Sequence, residues 1–402
     1  MTTSAKLQSL LLYIVWHARF QPGEELARGL YAKLARDLRQ PMHRGIGLPI
    51  RFLRGSRVDG VPEIPLDRAR HTAVVVLVDD EMVADPAWEP RLADLWRRTR
   101  DPDSPHRLFP VALTEHAVKM DALGEVNVLS LFRHPSEEWP ELLLHRLVHE
   151  LCRQLRARPR VGQDDGSGTA PVRAFLSHAK RDGLPLAEEL RDYIHQHTQL
   201  KSFFDAQDIP YGAAWKKVLE AAAGSCALLV VQTDAYASRE WCRNEVLAAK
   251  RQGMPVLVVN AIEEGEARSF PYLGNTPTIR WRPDRPRPHE AVLGRLLYEV
   301  LRTTYFPLRV EDLRARLGLS GSLRPLPHAP ELLTLMGLAL EEPRDGPIVL
   351  VYPDPPLGNE EIGLLREHLR ELGLEHRVSL TTPSGLPAQL GSPPGAVAGG
   401  SP

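Results

Sequence analysis

Residues 73–78 read AVVVLV and residues 226–231 read CALLVV. Unbroken apolar runs of this kind, rich in β-branched residues, suit strands covered on both faces rather than strands with one wet side. Doubly covered strands belong to parallel sheets, and parallel neighbours need a crossover, ordinarily a helix. The chain supplies such helices in alternation with further strand signals. In the first half an apolar run at 13–16 precedes Pro22, which opens a segment with Leu26, Leu30, Leu34 and Leu38 at helical spacing. Short strand signals follow at 50–53 and 108–113, and an amphipathic helix at 141–155 closes the segment. From Val172 the same order restarts: VRAFLSH as a strand, Leu186, Leu190 and Ile194 on one helix face, SFFDA as a strand, and 214–223 as a helix. CALLVV, a helix at 241–250, PVLVVNA, TPTIRW and a final helix at 290–305 complete it. This alternation predicts an α/β fold, a doubly wound parallel sheet with right-handed crossovers.

The two halves read as an internal repeat. Residues 73–88 (AVVVLVDDEMVADPAW) align without a gap on residues 226–241 (CALLVVQTDAYASREW), which sets Trp88 against Trp241 and Leu92 against Glu245. The closing helices, ELLLHRLVHELCRQL and EAVLGRLLYEVLRTTY, share an apolar pattern. Near the C-terminus, PIVLVYPDPPL, NEEIGLLREHLRELG and HRVSL make one short βαβ piece, and from Pro383 the composition predicts a disordered tail. Residues 157–171 are polar, rich in Gly, Ser and Pro, and without period, as an interdomain linker is. The expected organisation is a domain at 1–156, the linker at 157–171, a second domain at 172–306, a C-terminal α/β segment at 307–382 and a tail at 383–402.

A chain of 402 residues has room for two or three domains, and 43% hydrophobic with 25% charged residues is a globular composition. The net charge of -1 argues against nucleic acid as a partner, since phosphate binding usually leaves a basic face. Cys152, Cys226 and Cys242 are odd in number and far apart, which is no disulfide framework and fits a reducing, cytoplasmic setting. The apolar start LQSLLLYIVW has no small-residue cleavage site behind it and reads as a buried strand. No apolar run approaches the roughly 20 residues that span a bilayer, so no membrane partner is expected.

Neither GxGxxG behind a strand nor GxxxxGK[ST] occurs, which disfavours a hydride-transferring dinucleotide enzyme and a P-loop ATPase. A nucleotide would have to bind at the carboxyl ends of the parallel strands. Three segments of the second half converge there: FLSHAKRD at 175–182, FFDAQDIPYGAAW at 203–215 and SREWCRNE at 238–245. In this order they resemble the TIR (Toll/interleukin-1 receptor) domain. The first is similar to its opening strand and loop. The second, through Asp205, Ile209, Pro210 and Gly212, is similar to its loop after the second strand, and the third to the Trp-x-x-x-Glu signature of NAD⁺-cleaving members. The resemblance covers residues 172–306 closely and the first half loosely. It implies a flavodoxin-like sheet, present twice, with the first copy degenerate because Leu92 stands where the carboxylate is needed.

The resemblance also implies an activity: an NAD⁺ hydrolase of the bacterial type, releasing nicotinamide with ADP-ribose or a cyclic ADP-ribose, in anti-phage defence. It gives the catalytic role to Glu245 and substrate contacts to Trp241, Ser177, His178, Asp205, Tyr211 and Trp215. NAD⁺ is the substrate, and no cofactor or metal is implied. Self-association through TIR domains would switch the enzyme on, with the loop at 205–212 as the contact and an upstream protein or signal as the trigger. The chemistry accounts for the residue types. Breaking the nicotinamide–ribose bond builds positive charge on the sugar, as glycoside hydrolysis does. The leaving group is a neutral pyridine, so one carboxylate facing that charge suffices. Trp241 is one turn before Glu245, on the same helix face, and its indole offers a flat surface to a ring.

Those residue types have ordinary roles too. A Glu on an amphipathic helix is usually solvated surface, and a Trp four residues before it is usually core. Ser177 and His178 can be turn formers, Pro210-Tyr211-Gly212 a shaped loop, and Asp205 an acceptor within its own turn. His145, His149 and Cys152 stand at i, i+4 and i+7, as zinc ligands on one helix can, but no fourth ligand accompanies them and an ordinary helix surface is expected. Two other classes compete with the enzyme. One is a non-enzymatic TIR scaffold. The other, a receiver-like sensor, is disfavoured because no acidic phosphorylation cluster ends the strands.

Overall fold

The computed structural model describes residues 8–35, 45–101, 104–156, 172–197, 201–204, 226–266, 268–319, 322–340 and 346–387. The first half contains β1 (Gln8–His17), α1 (Gln21–Leu34), β2 (Ile50–Gly55), β3 (Ala69–Val78), α2 (Asp80–Ala84), α3 (Trp88–Thr99), β4 (His106–Ala112), β5 (Leu129–Ser130) and α4 (Trp139–Arg156). Its strands lie in the order β2-β1-β3-β4-β5, every pair parallel. The second half contains β6 (Arg173–His178), α5 (Leu184–His197), β7 (Lys201–Phe204), β8 (Cys226–Gln232), α6 (Glu240–Arg251), β9 (Val256–Asn260), β10 (Thr278–Arg280) and α7 (Pro288–Leu317). Its order is β7-β6-β8-β9-β10, again all parallel. In its own count each half runs second, first, third, fourth, fifth, which is the flavodoxin-like order. The expected fold is present twice. Each sheet also tapers along one direction, to the two residues of β5 and the three of β10.

Local chemistry sets these elements. Pro22 sits in the first turn of α1, where its missing N–H costs nothing, and Leu26, Leu30 and Leu34 form the buried stripe. Asp79 caps α2, its carboxylate accepting the Glu81 and Met82 N–H groups. Along β1, Leu11, Tyr13 and Val15 join Trp88, Leu92 and Leu95 of α3 in one core. The alternate residues Leu10, Leu12 and Ile14 are equally buried and face the other way. On that side Trp16 lies so close to α1 that a side chain on Gly23 would collide with it.

The repeat is real, but its register differs from the gapless alignment. Leu113 N–H bonds to the carbonyl of Val78, the last residue of β3, and Ala261 N–H bonds likewise to Gln232, the last of β8. Further on, Asp85 N–H bonds to Met82 O as Arg239 N–H bonds to Tyr236 O. Val78 and Gln232, Met82 and Tyr236, and Asp85 and Arg239 are each 154 apart, one more than the 153 of the alignment. Trp88, Leu92 and Leu95 therefore match Cys242, Val246 and Ala249, all of them buried. The place of Glu245 is taken by Arg91, not Leu92. Strand pairing sets Val15 beside Val76 as it sets Ser177 beside Val230, so Val15 occupies the place of Ser177; the matching turn bonds put Met82 in the place of Tyr236. The alignment slipped because it matched two tryptophans, whereas burial is what the repeat preserves: Trp88 is 0% exposed and Trp241 43%.

A second correction concerns α4. Its His145, His149 and Cys152 do not form an ordinary surface. Cys152 and His149 are buried, Cys152 Sγ donates to the carbonyl of Leu297 at 3.8 Å, and a Cβ on Gly294 would fall 1.8 Å from His145 Nε2. The closing helices of the two halves pack on each other, and glycine at 294 is what lets them approach. In keeping with this, Gln8–Arg36 and Ile46–Thr304 make one compact unit that holds both five-stranded sheets. Among the described residues no group of three His, Cys, Asp or Glu side chains is placed to hold a metal ion. No helix among them is long and apolar enough to cross a membrane.

The other unit includes the residues from Tyr305 on. Its expected βαβ piece is β12 (Ile348–Val351), α9 (Asn359–Glu371) and β13 (Val378–Thr381), and it is extended by β11 (Ser322–Pro325) and α8 (Leu332–Leu340). The three strands are parallel, in the order β11-β12-β13. The start of the tail expected from Pro383 is packed: Gly385 and Leu386 N–H groups bond to Thr382 O, and Leu386 is buried with Phe306, Val310 and Val351. Residues 388–402 lie outside the described residues. Leu38, the linker at 157–171 and the helix expected at 214–223 lie outside the described residues.

Candidate functional site

In the second sheet the chain leaves β6 toward β7 on one side and returns through β8 on the other. The strand order reverses direction there, which makes the carboxyl ends of β6 and β8 the switch point at which open α/β sheets have their ligand-binding crevice. Ser177 and His178 end β6, and both are buried. Glu245 enters from α6 and is only 4% exposed. Ser177 Oγ donates to Glu245 Oε2 at 2.5 Å, and the Tyr236 hydroxyl lies 2.6 Å from Ser177 Oγ. Burial, then the neighbouring Cys242 and Glu245, push the Tyr236 phenol well above its ordinary pKa against the opposing Ser177 bond, so it is neutral.

The loop that presents Tyr236 is tied to β6's own loop. Asp182 accepts the Thr233 hydroxyl at 2.7 Å and the Ala235 N–H at 2.8 Å. Cys242 Sγ donates to the His178 carbonyl at 3.4 Å, which fastens the first turn of α6 to the end of β6. Trp241, one turn before Glu245, is 43% exposed. The ordinary roles are thus inverted: the carboxylate is inside and the indole outside. A buried carboxylate survives only with hydrogen-bond donors, and a half-exposed indole beside a crevice offers a ring face to a visitor.

Residues 174–297 match the family model of the TIR domain.

The matched stretch runs from Ala174 in β6 to Leu297 in α7, so it contains Ser177, His178, Asp182, Tyr236, Trp241 and Glu245. The first sheet lies outside it. No curated protein matches the chain. Of the residues singled out from sequence within the TIR-like half, the structure brings Ser177 and Glu245 into direct contact and sets His178 and Trp241 on the flanking segments. Asp205, Tyr211 and Trp215 lie outside the described residues, as does the loop at 205–212. Sequence reading passed over Tyr236 and Asp182. Asp182 closes the FLSHAKRD segment, and an acid just past a strand end was its signal; a lone Tyr in a turn gave none.

Proposed function

We propose that the TIR-like half is an NAD⁺ glycohydrolase in which Glu245 stabilises the positive charge that grows on the ribose as nicotinamide leaves. The observation that carries this reading is the buried Glu245 carboxylate, held by Ser177 at the crevice between the ends of β6 and β8, with the exposed Trp241 indole one turn away. A carboxylate in a partly dry site meets developing charge with little solvent screening, and one such interaction is worth on the order of 3 kcal/mol. Trp241 would hold a ring of the substrate. The products would be nicotinamide with ADP-ribose or its cyclic form, the setting anti-phage defence in the cytoplasm, and the switch self-association of TIR-like halves under an upstream signal. The first half, flavodoxin-like but with Val15, Met82 and Arg91 at the places of Ser177, Tyr236 and Glu245, would serve assembly or sensing as a degenerate TIR-like domain.

One observation favours a non-enzymatic TIR scaffold instead: at 4% exposure, Glu245 can be a satisfied structural acid. A nicotinamide-release assay on the full chain, at concentrations that allow association, separates the two. Turnover that vanishes in Glu245→Gln supports the enzyme. Turnover unchanged in a correctly folded Glu245→Gln, or none in the parent chain at any concentration, favours the scaffold.

A further inference from the structure

Ser177, Tyr236 and Glu245 are buried side chains joined in a line. Ser177 has one hydroxyl proton, and gives it to Glu245 Oε2 at 2.5 Å. The 2.6 Å contact between Tyr236 and Ser177 must then be a donation by the phenol. The phenol's other acceptor, the carbonyl of Cys242, is 3.5 Å away, at the outer limit of a hydrogen bond. The line therefore runs from Tyr236 to Ser177 to Glu245, a direction that suits an ionised carboxylate at its end. Reversing it would put a proton on Glu245 and leave Tyr236 to donate over the longer distance to Cys242.

From this geometry we infer that Tyr236 and Ser177 are positioning residues: their aligned hydroxyls hold Glu245 ionised and fix its carboxylate at the crevice. The inference rests on the reading of Glu245 as the catalytic carboxylate, and it gives Ser177 a task other than the substrate contact expected from sequence. Hydroxyls polarise one another in sequence, so the phenol strengthens the serine's bond without touching the carboxylate. The first half shows the contrast. Val15 and Met82 stand at the corresponding places and carry no side-chain donor, and Arg91 takes the place of Glu245.

The test is the titration of Glu245 itself in the full chain carrying ¹³C-carboxyl-labelled glutamate, its signal identified by its loss in Glu245→Gln. Ser177→Ala removes a charge-assisted bond and should raise the midpoint by about 1–2 pH units. Tyr236→Phe keeps the ring and removes only the polarising hydroxyl, so its shift should be smaller, about half a unit. The acid limb of NAD⁺ turnover should move by the same amounts, with kcat falling at low pH and KM holding. A merely structural role would lower the melting temperature and leave the midpoint in place, so equal midpoints in all three chains overturn the inference. If Ser177→Ala does not fold, the milder Tyr236→Phe decides. The midpoint needs no turnover: a chain inert toward NAD⁺ whose Glu245 still shifts would retain the relay and reject the NAD⁺ reading.

Discussion

Two sheets with the same strand order end in different chemistry. At the crevice of the second, Ser177, Tyr236 and Glu245 form a hydrogen-bonded line. At the matching place in the first, Val15 and Met82 belong to a hydrocarbon core with Trp88 and Leu92. Hydrocarbon there stabilises by burial alone, whereas a buried acid has to be offset by donors before it contributes anything. The frame is thus indifferent to whether the crevice holds a core or a site. What differs is a handful of side chains, and retaining a polar set where an apolar one fits as well points to use rather than stability.

The sharpest way to break that comparison is to truncate the two tryptophans. Trp88→Ala should cost about 3–5 kcal/mol of stability in denaturant unfolding, because a fully buried indole leaves a cavity. Trp241→Ala, on an indole 43% exposed, should cost under about 1 kcal/mol and act on turnover instead. Comparable losses would mean that the tryptophans do one job in both halves. Next is the carboxylate. Glu245→Gln should slow nicotinamide release about 100-fold or more, on the order of 3 kcal/mol, with the fold intact. Arg91→Glu, which places an acid at the matching position of the first sheet, should add no activity, since Val15 and Met82 supply no donors. A gain of turnover in Arg91→Glu would show that the frame alone suffices.

A smaller effect probes what joins the halves. Gly294→Ala drives a methyl into His145 and should cost about 1–3 kcal/mol, largely relieved by adding His145→Ala. No loss in Gly294→Ala would mean that the closing helices can part freely. The smallest effect is one of pH. Burial lowers the pKa of His71 and His106 in the first sheet, and of His145 in α4. They stay neutral in the fold while the unfolded chain takes up protons below about pH 6.5. Their stabilisation is complete above that pH and is lost as pH falls toward the lower folded values. Amide exchange around β3 and β4 should therefore loosen in mild acid. In alkali the halves should behave alike, because burial raises Tyr13 in the first and pushes Tyr193 in the second up to about 12. Both stay neutral while unfolded tyrosines ionise above about pH 10, so stability declines from there upward.

Much of this was legible in the chain. Runs such as AVVVLV and CALLVV leave little choice but doubly covered parallel strands, and Pro22 with its leucine stripe marks α1 from composition and period together. Glu245 and Ser177 stood out through family resemblance. That they touch did not, because 68 residues separate them and only the parallel pairing of β6 with β8 brings their neighbourhoods together. The register of the repeat was misread because matching letters outweighed burial. The α8 segment LLTLMGLAL was missed because it is nearly all apolar and so has no period to read, and β11 because four residues ending in Pro carry almost no strand signal. His145 looked like surface because a histidine meeting a glycine on a distant helix leaves no trace in local sequence.

The taper of both sheets bears on how copies of this chain can meet. A sheet edge is an open row of backbone donors and acceptors, and any strand can add to it, whatever its sequence. β5 and β10 end their sheets with two and three residues. Too few rungs are left there for a foreign strand to grip. On the outer strand β2, Arg51 and Arg54 add charge that resists stacking against another sheet. Encounters at these margins are left to side chains, whose contacts are selective and can be undone, rather than to a backbone ladder that accepts any partner and is slow to release it.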